Sequence, residues 1–215
     1  MMETFSQEEE TIRSANYVSG TVSNILEAMA TQYHQMLGAN PDMHYKVTVF
    51  DLHQVPDIQL RDYLFRIMSM SKCTYRDLIA ALVYVETLIN TGVISGISFH
   101  NMHRLVALSI MTSTKFYDDV HYSNRSWSKI VGIPLRELND AETEFLRALN
   151  FDINIRLEVL DMWANMISNF AESTPVQERA HEEPEPQSEP EEQMEQEPTE
   201  LVSHIIDDSP DSIAL

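Results

Sequence analysis

The sequence has 215 residues, enough for one domain of ordinary size with additional segments. Its formal net charge of −20 argues against a nucleic-acid partner, and its single cysteine, Cys73, excludes an internal disulfide and a cysteine metal site. No apolar segment reaches secretory or membrane-spanning length, so we expect no membrane association and an intracellular protein in the nucleus, the cytoplasm or both.

The first predicted element is an amphipathic helix that follows a polar stretch. We expect residues 1–16 to be flexible and residues 17–55 to contain this helix and a connector. Apolar residues recur at helical spacing from Tyr17 to Leu37. Three residues then end the helix: Gly38, Asn40 and Pro41. We interpret Tyr45–His53, which contains Val47, Val49 and Phe50, as a loop rather than a strand.

Two helices with apolar faces are predicted next. The first begins at Pro56 and Asp57, with these residues inward: Leu60, Leu64, Ile67 and Met68. The second begins at Thr74, which forms a capping box with Asp77 three residues later. Its wide apolar face consists of Leu78, Ala81, Leu82, Val85, Leu88 and Ile89.

The stretch Ser98–Tyr117 predicts the central helix of the domain. Ser98 is expected to cap it by accepting a hydrogen bond from a backbone N–H. No charged residue lies between Arg104 and Lys115, and a helix without a polar stripe is surrounded by protein. We therefore expect a buried helix from whose end Lys115 emerges. Two acidic residues follow in the loop: Asp118 and Asp119.

Three more helices are predicted after this loop. A short one spans Asn124–Val131 and ends at Gly132 and Pro134. Asn139 is expected to cap the next, whose inward residues are Ala141, Phe145, Ala148 and Leu149. The last runs from Ile155 to Phe170, with one apolar face formed by Val159, Trp163, Met166 and Phe170.

The composition changes sharply at Glu172. From there to the last residue, 14 acidic residues stand against one Arg, a net charge of −13, which leaves −7 for the rest of the chain. Segments so rich in Pro and Glu bury too little apolar surface to fold, so we expect residues 172–215 to be disordered. Thr174 and Ser209 each precede a proline and are candidate phosphorylation sites for proline-directed kinases. The tail also suggests recognition by degradation machinery.

The order of these segments predicts an all-α protein. The alternation of strands and helices that typifies doubly wound nucleotide-binding folds is missing. We expect a five-helix bundle over residues 56–153, a C-terminal helix over 154–171 and the acidic tail over 172–215.

Three segments within this bundle resemble the cyclin box, and most closely that of the P/U-type cyclins, which are similar to the phosphate-signalling cyclins. The first is Asn101-Met102-His103-Arg104-Leu105. The second is Lys115-Phe116-Tyr117-Asp118-Asp119 with Tyr122-Ser123-Asn124, Trp127, Lys129, Gly132 and Ile133. The third is Glu137-Leu138-Asn139-Asp140-Ala141-Glu142 with Phe145-Leu146, Leu149 and Phe151. The resemblance covers about residues 47–153.

The sequence also departs from the family at named positions. Ser113-Thr114 stands where the family often has Ala-Ala before the lysine, and Thr87 where it often has Arg. Leu60-Arg61-Asp62-Tyr63-Leu64 does not match the Met-Arg-Ala-Ile-Leu patch of mitotic cyclins, so we do not carry over that substrate-docking site.

The resemblance implies a regulatory subunit without catalysis of its own, which binds and activates a cyclin-dependent kinase by docking on its αC helix. It assigns kinase contacts to Lys115 and Glu142. Asp118 and Asp119 are candidates for pairing with a kinase Arg. Arg104, His103 and Asn139 are expected to have structural roles, with interface contacts as the alternative. For Lys115 the simpler alternative is a cation at a helix C-terminus, and for Glu142 a capping-box partner of Asn139.

Other functional classes find less support in the residues. A cyclin-fold adaptor that does not activate a kinase is the main alternative function. His100, His103 and His121 invite a metal site, but a zinc site needs three or four converging ligands, and we expect no metal and no cofactor. No Ser–His–Asp or Cys–His set is recognisable, so we expect no enzyme activity.

Overall fold

The computed structural model describes the backbone of residues 7–173 and the side chains of residues 17–172. Seven helices form over this range, which contains no strand, and the predicted all-α class is confirmed. In chain order they are α1 (Gln7–Ala39), α2 (Leu60–Ser71), α3 (Tyr75–Asn90), α4 (Met102–Tyr117), α5 (Asn124–Val131), α6 (Leu135–Ala148) and α7 (Leu157–Ser173). The predictions for residues 174–215, including Thr174 and Ser209, lie outside the described residues.

The helix α4 is the centre of the bundle. Each residue from Met102 to Thr114 is buried, as the absence of a polar stripe predicts. The helices α2, α3 and α6 pack directly on α4, α5 lies against α2 and α6, and α1 contacts α2 and α7. The five helices α2–α6 are therefore flanked by one helix before and one after, as expected.

The first helix is longer than predicted. It begins at Gln7 rather than Tyr17, so residues 7–16, expected to be flexible, have helical backbone. Within the predicted span it buries Val22, Leu26 and Ala30, which are spaced four residues apart and lie on one helix face. The prediction relied on apolar periodicity, which the polar residues 7–16 lack. Backbone hydrogen bonds can still extend a helix there, because they do not require an apolar face.

The start of α3 agrees with the predicted capping box. The Thr74 backbone N–H and its hydroxyl both donate to Oδ2 of Asp77, at 2.8 and 2.9 Å. In return, the Thr74 carbonyl accepts from the Asp77 backbone N–H at 3.1 Å. Asp77 is only 1% exposed, so this cap is enclosed by protein rather than by water.

The start of α4 differs from the prediction. Ser98 does not cap a helix; its hydroxyl bonds instead with the Tyr45 hydroxyl at 2.8 Å. The Asn101 side chain accepts from the Ser98 backbone N–H at 2.8 Å and donates to the Gly96 carbonyl at 3.1 Å. These bonds fold residues 98–101 into a turn, and the helix begins only at Met102.

The start of α6 also differs. Asn139 is not the cap; it lies inside a helix that begins at Leu135. Pro134 has extended backbone angles and its carbonyl accepts from the Leu138 backbone N–H at 2.8 Å, which closes the first turn. Since Asn139 is not at the helix start, the capping-box alternative for Glu142 is wrong.

Smaller corrections concern α2 and α7. The helix α2 begins at Leu60, after Gln59, and not at Pro56 or Asp57. On α7, Met166 is 52% exposed, and only part of the predicted face packs against the core. Trp163 belongs to the part that does. The residues that α7 buries are Leu160, Ile167 and Ala171. The helix is thus rotated relative to its predicted face, since packing against α1 and α3 selects the side that is covered.

The connector between α1 and α2 contains no strand, as predicted. Of the three apolar residues named in its sequence, only Phe50 is buried, while Val47 and Val49 are exposed. Asp51 organises this loop by accepting hydrogen bonds from the Thr48 backbone N–H and hydroxyl, at 2.6 and 2.8 Å, and from the Tyr45 hydroxyl.

Candidate functional site

The end of the buried helix α4 delivers one lysine to a partly covered surface. Lys115 is the first charged residue after Arg104, and its Nζ donates to Oε1 of Glu142 on α6 at 2.6 Å. The two side chains are 22% and 17% exposed. The structure therefore brings together the two residues to which the sequence assigned partner contacts.

Two asparagines complete this group. Asn124, the first residue of α5, accepts from Nζ of Lys115 and donates to Oε2 of Glu142 at 2.6 Å. Its Nδ2 also donates to Oδ1 of Asn139 at 2.7 Å. We call these four side chains, Lys115, Asn124, Asn139 and Glu142, the Lys115 network; they connect α4, α5 and α6. Asn139 thus has a side-chain role in the site although it caps no helix.

The Lys115 network is suited to protein recognition. An ammonium group carries three N–H donors, and two of them have partners within the described residues. Removing two charges from water is costly unless hydrogen bonds compensate, and here each charge has more than one such bond. The pair is therefore held in place but keeps an exposed edge.

The two loop carboxylates lie beside the network without joining it. The Asp118 backbone N–H donates to the Thr114 carbonyl at 3.1 Å and ends α4, and Asp119 is exposed. Neither forms an ion pair with another residue in 17–172. Partial burial, together with the nearby Asp77 carboxylate, raises the pKa of Asp118 above its ordinary value.

Arg104 and His103 lie at the opposite end of α4. Lys115 lies eleven positions after Arg104, which corresponds to about 16 Å along a helix axis. Arg104 donates to the Val49 carbonyl at 2.8 Å and pairs with Glu137, and His103 Nε2 is 3.0 Å from the Ile58 carbonyl oxygen. Both residues tie the connector to the bundle.

The histidines do not converge on a metal. His100 Nδ1 lies 2.9 Å from the Leu52 carbonyl oxygen, whereas His103 bonds to Ile58, and His121 is in the exposed loop after α4. Over the side chains that the structure describes, no group of three or more metal-ligating residues occurs. Burial lowers the pKa of His103 below its ordinary value.

Two exposed aromatic residues were not assigned from the sequence. Phe116 directly follows Lys115 and is 46% exposed, and Phe151, after α6, is 66% exposed. Phe151 and Asn150 both have positive φ, 58° and 53°. A bulky residue rarely adopts this conformation, which marks a segment held by its surroundings. The signal was present, because Phe116 and Phe151 stand in the motifs that resemble the cyclin box.

The segment that carries Phe151 is held by two tyrosines. The Tyr84 hydroxyl donates to the Ile153 carbonyl at 2.7 Å, and the Ile155 backbone N–H donates to the Tyr117 hydroxyl at 2.7 Å. Tyr117 is on the last turn of α4, two residues after Lys115. The exposed Phe151 and the Lys115 network are thus both anchored to the same end of the buried helix.

A buried carboxylate supports this end of α4 from beneath. The Ser113 hydroxyl donates to Oδ1 of Asp77 at 2.6 Å, and both residues are almost fully buried. Ser113 occupies the position where the family often has alanine. Ser113, at which the sequence departs from the family, therefore supplies a hydrogen bond between α3 and α4.

Comparisons with known proteins agree with this geometry. The sequence model described as Cyclin matches residues 8–153, which includes α1 as well as the bundle. Cyclin-U4-2 of Arabidopsis thaliana is 27% identical over 150 residues, which cover 67% of this chain and 69% of that protein. Cyclin-P4-1 of Oryza sativa subsp. japonica is 31% identical over 109 residues, about half of each chain.

A fungal relative extends the same pattern. The PHO85 cyclin-like protein psl1 of Schizosaccharomyces pombe is 28% identical over 142 residues, which cover 66% of this chain and 58% of that protein. Among the helices described, none is long and apolar enough to cross a membrane. Cyclins as a family have a regulatory role toward cyclin-dependent kinases and are not themselves enzymes. The family match, the helical bundle and the three motifs together show that this chain belongs to the cyclin family and is a P/U-type cyclin.

Proposed function

We propose that this chain is a regulatory subunit that binds and activates a cyclin-dependent kinase through the surface around the Lys115 network. The observation that carries the proposal is the Lys115–Glu142 pair, fixed at 2.6 Å yet open to solvent along one edge. Exposed ion pairs contribute only ~0–1 kcal/mol to folding stability, so partial exposure would make this pair a weak stabiliser of the fold by itself. A partner that covers the pair would remove water and strengthen its interactions.

The partner element that fits this surface is the kinase αC helix. The third N–H of Lys115 is available to a carbonyl oxygen of the partner, and the Glu142 carboxylate retains capacity to accept a backbone N–H. Phe116 and Phe151 supply exposed aromatic area, and aromatic residues are enriched among those that dominate binding at interfaces. Asp118 and Asp119 extend an acidic edge toward basic side chains of the kinase.

Activation follows from differential binding. In active kinases a Lys–Glu pair involving αC must be in place to engage the ATP phosphates. A cyclin that binds the active arrangement of αC more tightly than the inactive one shifts the population toward it. The chain itself then needs no catalytic group.

A cyclin-fold adaptor that does not activate a kinase is the second candidate. The observation in its favour is the exposed apolar surface on α7, where Met162 and Met166 lie four residues apart on one side and are each about half exposed. An adaptor would use such a face and would not depend on Lys115 and Glu142.

The test compares capture of a kinase by three versions of the full-length chain. Wild type, Lys115→Ala/Glu142→Ala and the matched control Lys129→Ala/Glu158→Ala are used as baits in the native cell extract. The control removes the same charges from exposed positions on α5 and α7. Bound proteins are identified by mass spectrometry and assayed for proline-directed kinase activity.

The outcome expected from the proposal is a kinase captured and activated by wild type and control but not by the double variant. Truncating hot-spot residues typically costs ~2 kcal/mol or more, about 30-fold in affinity. Equal capture by all three baits would contradict the proposed surface. Capture without activation would favour the adaptor.

A further inference from the structure

Asn124 occupies the middle of the Lys115 network. Its Oδ1 accepts from Lys115, and its Nδ2 donates to Oε2 of Glu142 at 2.6 Å and to Oδ1 of Asn139 at 2.7 Å. One amide thus contacts a side chain of α4 and two side chains of α6. From the sequence, Asn124 was only the first residue of α5 and a member of the second motif.

We propose that Asn124 is the positioning residue of this surface: it fixes the Lys115–Glu142 pair in its binding geometry before a kinase arrives. The inference rests on the proposed function and adds to it a residue that acts through Lys115 and Glu142. Without Asn124, the side chains of Lys115, Asn139 and Glu142 would still be present. They would lack the common hydrogen-bond partner that holds them in one arrangement.

The position of Asn124 is itself well determined. It is the first residue of α5, preceded by the cap Ser123, whose hydroxyl accepts from the Ser126 backbone N–H at 3.4 Å. Trp127, fully buried, anchors the same helix in the core. A short side chain on an anchored helix has few rotamers to lose, whereas Lys and Glu lose many when they are held in one geometry. Asn124 therefore contributes order that the two long side chains lack.

The chemistry at this position favours an amide. The side chain must accept from an ammonium group on one side and donate to a carboxylate on the other, and an amide can do both. A carboxylate at residue 124 would still accept from Lys115 but would repel Glu142. An alanine would leave the inner faces of both charges without this partner.

This requirement predicts that the amide and the carboxylate can be exchanged. In Asn124→Asp/Glu142→Gln the total charge is unchanged, Lys115 can bond to both new groups, and the Gln amide can donate to the Asp carboxylate. Asn139 can reverse its amide to donate as well. The single variant Asn124→Asp has no such compensation. The matched control Asn165→Asp makes the same chemical change at an exposed position of α7.

The first measurement uses the full-length chain alone and needs no partner. The coupling between Lys115 and Glu142 is obtained by urea unfolding of a double-mutant cycle, once with Asn124 and once with Asn124→Ala. The coupling factor is the factor by which the unfolding equilibrium constant of the double variant departs from the product of the two single effects. We expect this factor to fall at least about threefold when Asn124 is replaced by alanine. An unchanged factor overturns the inference whatever the kinase result.

The second measurement is the affinity for a purified cyclin-dependent kinase that the wild-type chain binds. We expect Asn124→Asp to weaken binding about tenfold or more, the exchanged pair to bind at least about threefold more tightly than the combined effects of Asn124→Asp and Glu142→Gln predict, and Asn165→Asp to have no effect. An exchanged pair as weak as the sum of its single variants overturns the positioning role.

The two measurements separate the inference from the proposed function. If Lys115→Ala leaves kinase affinity unchanged, the proposed interface is wrong, while the cycle in the isolated chain still decides whether Asn124 orders the pair. If Lys115→Ala weakens binding and Asn124→Asp does not, the interface stands and Asn124 has no positioning role.

Discussion

Replacing Ser113 by alanine should destabilise the folded chain although it restores the residue common in the family. The change removes the 2.6 Å hydrogen bond to Oδ1 of Asp77, which has no other hydrogen-bond donor among the described residues. The carboxylate stays buried, and Oδ2 keeps its two bonds to Thr74. Hydrogen bonds to charged groups contribute about 1.5–3 kcal/mol, so we expect a loss of that size in the free energy of unfolding. For a folded body of this length that corresponds to a fall in Tm of roughly 3–12 °C.

The assay is urea unfolding of Ser113→Ala, Asp77→Ala and the double variant. Asp77→Ala also removes the helix cap and should cost about 2–5 kcal/mol in all. The coupling energy should be about 1.5–3 kcal/mol, because the double variant no longer contains a buried carboxylate to satisfy. Ser69→Ala, the same substitution at an exposed serine of α2, should change stability by less than about 0.5 kcal/mol. A coupling energy below about 0.5 kcal/mol would refute the role assigned to this bond.

Three further predictions address other parts of the molecule. Gly96→Ala should destabilise the chain by about 1–3 kcal/mol in urea unfolding, because the added Cβ would lie 2.5 Å from the Tyr33 ring, whereas Gly38→Ala meets no atom within 4 Å and should be tolerated. Phe151→Gly should leave stability within about 1 kcal/mol of wild type, since relief of the positive φ offsets the flexibility of glycine, yet it should weaken kinase binding at least about tenfold in a titration. Retained affinity would remove Phe151 from the interface. Burial lowers the pKa of His103 below the ordinary 6.5, so the unfolded chain binds the proton more readily and this residue makes stability fall as the pH drops below that value. Unfolding free energies at about pH 7.5 and about pH 5.5 should therefore differ less for His103→Gln than for wild type, and an equal difference would contradict this assignment.

Most of the helices were predictable because their apolar residues recur at a helical period. The short helix α5 was predicted with both ends correct, since Ser123 provides a local start signal and Gly132 a local stop signal, each acting within one turn. The buried state of α4 followed from the absence of charge between Arg104 and Lys115.

Helix starts were less predictable where a polar side chain had another partner. Ser98 and Asn139 both have the composition of a cap, but Ser98 bonds to Tyr45, 53 residues earlier, and Asn139 bonds to Asn124 on a neighbouring helix. Nothing within one turn of Ser98 distinguishes its bond from a cap. The sequence signal for α6 was instead Leu138, whose burial places the apolar pattern one turn earlier.

The candidate site was divided in the same way. The resemblance to the family pointed to Lys115 and Glu142, and the structure joins them. The resemblance did not point to Asn124 as their common partner or to Ser113 as the donor to Asp77. Both contacts are made between different helices, and the sequence positions of the partners are separated by at least nine residues.

The sequence by itself determined the helical class, the central buried helix and the motifs that place the chain among the P/U-type cyclins, because periodicity, charge patterning and residue order are properties of a linear chain. Only the tertiary structure decided that Ser98 and Asn139 bond to distant segments and do not cap helices. It also decided which side of α7 is covered and how one amide is shared between α4 and α6. The physical reason is that a hydrogen-bonding group takes whichever partner is brought within about 3 Å by packing, and that packing depends on all the helices together.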